Sequence, residues 1–428
     1  MDRDRGLAQA LRRPRDRGLS GHDTHVGAVV VGAGIVGLAT ARALQRARPG
    51  WPVVVLEREA RVAAHQSGHN SGVLHSPVTY RPGSHKARLC AQGQAALVDW
   101  CAEHGVALER CGEVVVATEP DEVPRLAALA ERARANGLVV HELGPAGLAD
   151  LEPHARGLAA LHVPATGVVD FPGVCEGLRR EIEDHGGEVR LGVGVQDLVD
   201  TRLGVAVDTD QGRWWAERVV TCAGAWSDVV ARRSGLVPPV RILPFRGEYL
   251  ELRPEAAHLV NHLVYPVPDP RFPFLGVHFT RGIDGTVHAG PNAVPALGRD
   301  AYGWGTVRAG DTARFAARRS TWRLARRYWR TGAGEIVRSL DRRRFVAALQ
   351  RLVPEVRPDD LVPAGAGVRA QAVAADGTLV DDFAFARSGP VLHVVNAPSP
   401  AATASLAIGA AIAGWLLDDR PADTIPTC

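Results

Sequence analysis

The spacing Gly32-Ala33-Gly34-Ile35-Val36-Gly37 suits the chemistry of a bound diphosphate. Gly32 permits a tight turn after a strand, Gly34 lets backbone approach a pyrophosphate, and Gly37 lets a helix pack closely on that strand. Ile35 and Val36 open the helix, so their N–H groups face the same anion. Glu57 stands twenty residues past Gly37, at the end of the next apolar run, with Arg58 beside it. A carboxylate there accepts hydrogen bonds from a ribose and repels a 2′-phosphate, which favours FAD or NAD over NADP. Gly365 to Ala370 repeats the GxGxxG/A spacing, but it follows Pro363 rather than a buried strand and has no acid at the right distance. It is therefore not read as a second dinucleotide turn.

Three further stretches carry polar or small residues in suggestive order. His65 to His75 holds three histidines together with Gln66, Ser67, Asn70, Ser71, Gly72 and Val73. The histidine gaps fall on a Gly-broken loop instead of a helix, so the stretch reads as a cofactor-contact loop and no metal is expected. Thr221 to Ser227 runs from a strand into Ala223, Gly224 and Trp226, small residues where backbone closes over a cofactor. Ser399, Pro400, Ala401 and Ala402 sit where a helix would begin, its positive end aimed at an anion such as a reduced flavin.

The elements that must position these residues are legible as patterns. Ala28–Val31 and Val53–Leu56 are short apolar runs flanking a helical Ile35–Arg46, a βαβ unit. Helices are expected at about 84–104, 121–137 and 310–352. Strands are expected at 188–191, 205–209, 219–222, 245–252, 275–280 and 286–290, and a strand, turn and helix over 392–418. The expectation is an α/β chain with a discontinuous nucleotide-binding domain (26–105, 165–244 and 365–428). A mixed-sheet α+β substrate domain (106–164 and 245–364) is inserted in it, and residues 1–25 form a tail. Phe315, Trp322 and Trp329 fall seven apart, a stripe expected to pack on the core. From Arg299 to Arg344 there are 13 Arg against 4 acids, which also suits an anionic membrane surface.

Composition narrows the classes. Of 428 residues, 46% are hydrophobic and 23% charged, ordinary for a globular chain of two or three domains. The net charge is +3, and residues 1–25 supply two of it with six Arg against four Asp. The body is near neutral, so nucleic acid is not the expected partner. Six scattered cysteines show no CxxC spacing, which suits free thiols in a reducing cytoplasm. Asn396–Leu417 is uncharged but Ala-rich and opens with two prolines, so it reads as a buried helix and not a membrane span.

With these motifs in place, the chain resembles the L-2-hydroxyglutarate oxidase/dehydrogenase family, within the FAD-dependent D-amino-acid-oxidase-like superfamily. The resemblance rests on GAGIVG (32–37), HQSGHNSGVLH (65–75), PGSHKA (82–87), PFRGEY (244–249), YPVPDP (265–270), FLGVHFTR (274–281), GPNAV (290–294), AGVRAQAV (366–373) and NAPSPAAT (396–403). It implies a Rossmann-like domain holding non-covalent FAD and oxidation of a dicarboxylate, (S)-2-hydroxyglutarate, to 2-oxoglutarate. Arg369 matches the arginine of a Gly-x-Arg segment that holds the substrate α-carboxylate in related members. His75 and His278 are candidates for the base. Arg246, Tyr249 and Tyr265 are candidates for the distal carboxylate. One segment departs from the family pattern. After His75 the chain reads Ser76-Pro77-Val78-Thr79-Tyr80, with Pro77 for a glycine and Thr79 for a tyrosine. That loop is expected near the substrate, which points to a variant 2-hydroxy acid. An amine or amino-acid oxidase on the same scaffold, or a flavin-fold protein without turnover, are the other readings. The electron acceptor, oxygen or a quinone, stays open. The expected location is cytoplasmic, with peripheral contact to the inner membrane face as a further reading.

Overall fold

The computed structural model describes residues 24–269 and 276–418. The expected tail at 1–25 lies almost wholly outside the described residues, and so do Leu275 and the last residues of the chain.

Val29 to Val31 and Val53 to Leu56 are buried on both faces, as apolar runs in a parallel sheet should be. Strand Thr24–Val31 pairs in parallel with Val53–Glu57 on one side and with Gly212–Thr221 on the other. Glu188–Leu191 extends the sheet beyond Val53–Glu57, and Val391–Asn396 pairs in parallel with Gly212–Thr221. Helix Ile35–Ala47 packs between this sheet and helix Ser405–Leu417. The approach is close. A Cβ on Gly409 would come within 2.5 Å of the Ala39 carbonyl oxygen. The Ala-rich segment is thus a buried helix, as its composition suggests. No helix among the described residues is long and apolar enough to cross a membrane. Each fully buried Leu or Phe here, such as Leu38 or Phe171, contributes about 1.5–3 kcal/mol.

A second, nine-stranded sheet is organised around one long ribbon. Val240–Leu252 and Leu361–Ala374 run antiparallel in register from Val240↔Ala374 to Leu252↔Leu361, with a bulge between Glu248 and Leu250. The boundaries expected at 244/245 and 364/365 fall inside these two strands, and residues 365–374 pair with the second sheet. The Gly365–Ala370 spacing is part of an extended strand, so it makes no phosphate turn. Val287–Gly290, His278–Arg281, Leu263–Pro266 and Glu113–Ala117 continue the sheet side by side.

The Arg-rich segment differs from its expected packing. It forms helices Ala309–Ala316, Arg319–Leu340 and Arg342–Gln350. Arg318 is extended between the first two, so Phe315 and Trp322 do not share one helix. Phe315, Leu324 and Tyr328 pack against Leu243 and Val373. Trp322 and Trp329 are instead 64% and 61% exposed. The helix buries its Leu324 side, so Phe315 alone of the seven-apart aromatics packs inward while Trp322 and Trp329 face outward.

Candidate active site

A cavity of about 780 Å³ runs from the Gly32 turn to the long ribbon. Its first end is made largely of backbone. Gly32 has φ +106°, and a Cβ on Gly37 would stand 1.9 Å from the Gly32 carbonyl oxygen. Any side chain at Gly37 therefore opens the turn. The Glu57 carboxylate accepts from Ala33 N at 2.7 Å and from Glu59 N at 3.0 Å. Ser67 Oγ accepts from Ile35 N at 2.9 Å, which ties the polar loop to the helix start. Asn70 staples that loop, donating to the Ser67 carbonyl at 2.8 Å and accepting from Gly72 N at 2.8 Å.

Side chains close the mouth of this end. The Arg58 guanidinium lies 3.6 Å from the centre of the Trp226 ring. Glu59 accepts from Arg58 at 2.9 Å and pairs with His65 at 2.9 Å. The other nitrogen of His65 meets the Tyr302 hydroxyl at 3.2 Å. Sequence patterns did not single out Glu59 or Tyr302. Tyr302 comes from a loop more than two hundred residues away and stands in no motif.

Every expected cofactor contact lines the cavity except Gly72, whose φ of +69° serves the loop turn. Gly32, Gly34, Ile35, Val36 and Gly37 form one wall with Glu57 and Arg58. Gln66, Ser67, Asn70, Ser71 and Val73 form the next, with Ala223, Gly224 and Trp226 across from Ser399, Pro400, Ala401 and Ala402. The residues fit FAD. Contrary to expectation the Ile35 N–H is taken by Ser67 Oγ, but the cradle leaves the Gly34 and Val36 N–H groups for a diphosphate, the acid stands at the strand end for a ribose, and the cavity continues into the second sheet.

The other end is made of side chains from distant strands. Arg369 pairs across the ribbon with Phe245, and Arg246 with Val368. Side chains alternate along a strand, so Arg369 and Tyr249 share one face while Arg246 and Glu248 share the other. Arg246 pairs with Glu248 at 3.1 Å and lies 4.1 Å from the Trp304 ring centre. The expected trio for a distal carboxylate is thereby split, although Arg246, Tyr249 and Tyr265 all line the cavity. Gly367 lets the polar loop close on the ribbon, since a Cβ there would come within 2.6 Å of the His69 carbonyl oxygen.

His75 and His278 both line the same end. His278 Nδ1 donates to the Gly276 carbonyl at 2.8 Å, and the Tyr265 ring stacks on the imidazole at 4.1 Å. That bond fixes the tautomer and leaves Nε2 with a lone pair. Burial pulls His278 down to about 4, against the Gly276 contact and with the help of Arg369. Burial, then the neighbouring His278, Lys86 and Arg369, pull His75 down to about 4. His75 Nε2 lies 3.3 Å from Ser399 Oγ, which also bonds the Tyr80 hydroxyl. Lys86 sits over the Tyr80 ring and donates to Asp381 at 2.8 Å.

The departing segment lies behind this end. Pro77, Val78 and Thr79 are not among the cavity-lining residues. Asn136 donates to the Pro77 and Tyr80 carbonyls at 2.6 and 2.8 Å, and Arg132 donates to that of Thr79. The segment thus stands near this end, as expected, through Tyr80 and its bond to Ser399, while helix Val123–Ala135 and its cap hold Pro77 to Thr79 from outside the cavity. Among the described residues no group of three or more His, Cys, Asp or Glu is arranged for a metal ion.

Residues 28–415 match the family described as FAD dependent oxidoreductase (DAO). The L-2-hydroxyglutarate dehydrogenase of Indibacter alkaliphilus is 43% identical over 91% of this chain and 98% of its own length. That of Escherichia coli is 41% identical over 90% of this chain and 91% of its own. The mitochondrial enzyme of Homo sapiens is 41% identical over 90% and 87%. Among solved structures, the FAD-bound L-alpha-glycerophosphate oxidase of Mycoplasma pneumoniae superposes with a TM-score of 0.75 at 18% identity. It covers 92% of this chain and 95% of its own. The chain belongs to the DAO family of FAD-dependent oxidoreductases, and relatives that it matches along nearly its whole length include L-2-hydroxyglutarate dehydrogenases of bacteria and animals.

Proposed function

We propose that the protein oxidises L-2-hydroxyglutarate to 2-oxoglutarate, with Arg369 holding the α-carboxylate and His278 taking the hydroxyl proton. The observation that carries the reading is the pairing of a cavity-facing arginine with a neutral, tautomer-fixed histidine in a chain so similar to dehydrogenases of that substrate. Bound FAD supplies a two-electron acceptor for the hydrogen on the substrate Cα. The glycine turn, Glu57 and the Ser399–Ala402 segment would hold it.

The residues at the far end divide the remaining work. The Arg369 fork matches a carboxylate with two parallel N–H donors and keeps its charge at any working pH. Its position on the ribbon fixes which face of the hydroxy acid meets the cofactor end. His278 Nε2 accepts the hydroxyl proton because Nδ1 is committed to the Gly276 carbonyl. The stacked Tyr265 ring holds the imidazole plane during the transfer. His75 shares its hydroxyl partner with Tyr80, so it orients rather than competes as base. Tyr249, on the Arg369 face, is assigned to the distal carboxylate ahead of Arg246, which already has Glu248.

The electron acceptor downstream is oxygen or a quinone. The outward Trp322 and Trp329, set among arginines, favour contact with an anionic membrane in which a quinone is reached. Flotation with anionic liposomes at low salt tests this, and no binding rejects it. The reaction itself is tested by mixing FAD-loaded protein with L-2-hydroxyglutarate without oxygen. Loss of the visible flavin absorbance with the L- but not the D-enantiomer is the expected result. No loss with either, together with loss on adding an amine or amino acid, would transfer the protein to the oxidase reading.

A further inference from the structure

To one side of the cavity, five guanidinium groups converge on two carboxylates. Asp228, in helix Ser227–Arg233, is fully buried and pairs with Arg299 at 2.7 Å and Arg232 at 3.0 Å. Asp311 lies 3.8 Å from Arg299 Nε and 3.7 Å from Arg314. Arg241, at the start of the long ribbon, and Arg318, at the break between two helices, lie within electrostatic reach of the same group. Both are half-buried, and among the described residues neither forms an ion pair. The cluster therefore keeps three positive charges more than its carboxylates balance.

Two features mark this excess as a site. Arg232 Nη1, Arg241 Nη1 and Arg299 Nε are withdrawn from solvent and have no hydrogen-bond partner. Burial first, and then the neighbouring guanidiniums, hold Arg241 and Arg318 below the usual arginine range. An arginine does not relieve such repulsion by losing its proton at neutral pH. A bound anion relieves it instead. The three half-buried groups come from a helix, a strand and a loop, so three separate elements bring their donors to the cluster. That arrangement suits the several oxygens of a tetrahedral oxyanion better than a flat carboxylate.

We infer that Arg232, Arg241 and Arg318 form a binding site for a phosphate group, free or carried on a lipid headgroup. The inference stands apart from the oxidation chemistry, because none of the three residues lines the cavity.

The experiment titrates inorganic phosphate into the FAD-loaded full chain at constant ionic strength, with chloride as the balancing salt, and follows Tm. The expected result is a saturable rise of about 3 °C. Arg241→Met should abolish the rise. It should also raise Tm in phosphate-free buffer, because it removes repulsion; a purely structural arginine would lower it. Arg318→Met is the second variant, should the first fail to fold. Both are expected to leave the KM for L-2-hydroxyglutarate unchanged. A parallel arm compares phosphatidylcholine vesicles with and without phosphatidic acid. Binding that needs phosphatidic acid and is lost in either variant, with no response to free phosphate, supports the site and assigns the headgroup as its source. A phosphate response that survives both substitutions overturns the inference. So does the absence of any substitution-sensitive response in either arm.

Discussion

The two ends of the cavity are built by opposite means. At the proposed dinucleotide end the wall is backbone, and consecutive residues supply it, from Gly32 to Gly37 with Glu57 one strand later. At the proposed substrate end the lining is made of side chains, gathered from positions 75, 249, 265, 278 and 369 on separate strands and loops. A backbone site tolerates no added atoms but is indifferent to most side chains around it. A side-chain site keeps its shape when one member changes and loses only that member's chemistry. The difference teaches that damage at the first end should be all-or-none, and damage at the second end graded and specific.

The largest expected effect breaks the first end. Gly37→Ala should yield protein that purifies colourless and stays so with added FAD, read by absorbance. Retention of yellow colour would show that the turn relaxes around a Cβ. Next, His278→Gln should keep FAD but lower kcat/KM by about 10²–10⁴-fold, measured by steady-state assay. An unchanged kcat/KM would move the base to His75. Arg369→Met should retain FAD and weaken apparent substrate affinity by about 10²-fold, and a normal KM would remove it from the carboxylate site.

The smallest expected effect concerns acid stability and sharpens the comparison by separating fold from chemistry. Burial holds His393 at about 4 instead of 6.5, between the Thr221 and Ser234 hydroxyls at 2.9 and 3.0 Å. His278 is held at about 4 in the same way. The unfolded chain takes up these protons first, so stability is complete above pH 6.5 and is lost as pH falls towards 4. Glu113 runs the other way. Burial raises it from 4.5 to about 7, so its contribution is complete below 4.5 and is lost as pH rises through 7. Urea midpoints across pH should show both limbs. His393→Asn should flatten part of the acid limb and leave turnover intact, and Glu113→Gln should flatten the alkaline one. A His393→Asn profile identical to that of the parent would exclude it from the acid limb.

How much was legible in the sequence follows the same division. The βαβ unit was readable because its hydrophobic period, its glycines and its acid lie within thirty residues of one another. The buried character of helix Ser405–Leu417 was readable from its Ala-rich, uncharged run. The ribbon was not. Val240–Leu252 and Leu361–Ala374 are separated by more than a hundred residues, and no local period states which strand pairs with which. That is why the boundaries at 244/245 and 364/365 fall within strands. The outward turn of Trp322 and Trp329 suits the membrane-surface reading and departs from the expected core packing for a local reason. The spacing from Phe315 to Trp322 assumed one continuous helix, and the extended backbone at Arg318 breaks it. Tyr302 and Glu59 carried no signal at all. Tyr80 did carry one, standing at the end of the departing segment, and Lys86 another, standing in the PGSHKA motif.

Lys86 is the only lysine in the sequence, and the structure buries it under Tyr80 with Asp381 as its partner. To reagents that acylate or reductively alkylate lysine side chains, the molecule therefore presents a single shielded target. Uptake of such a reagent at Lys86 would report the loosening of its Tyr80 and Asp381 contacts. That makes an ordinary labelling reaction a clock for the opening of this corner of the fold.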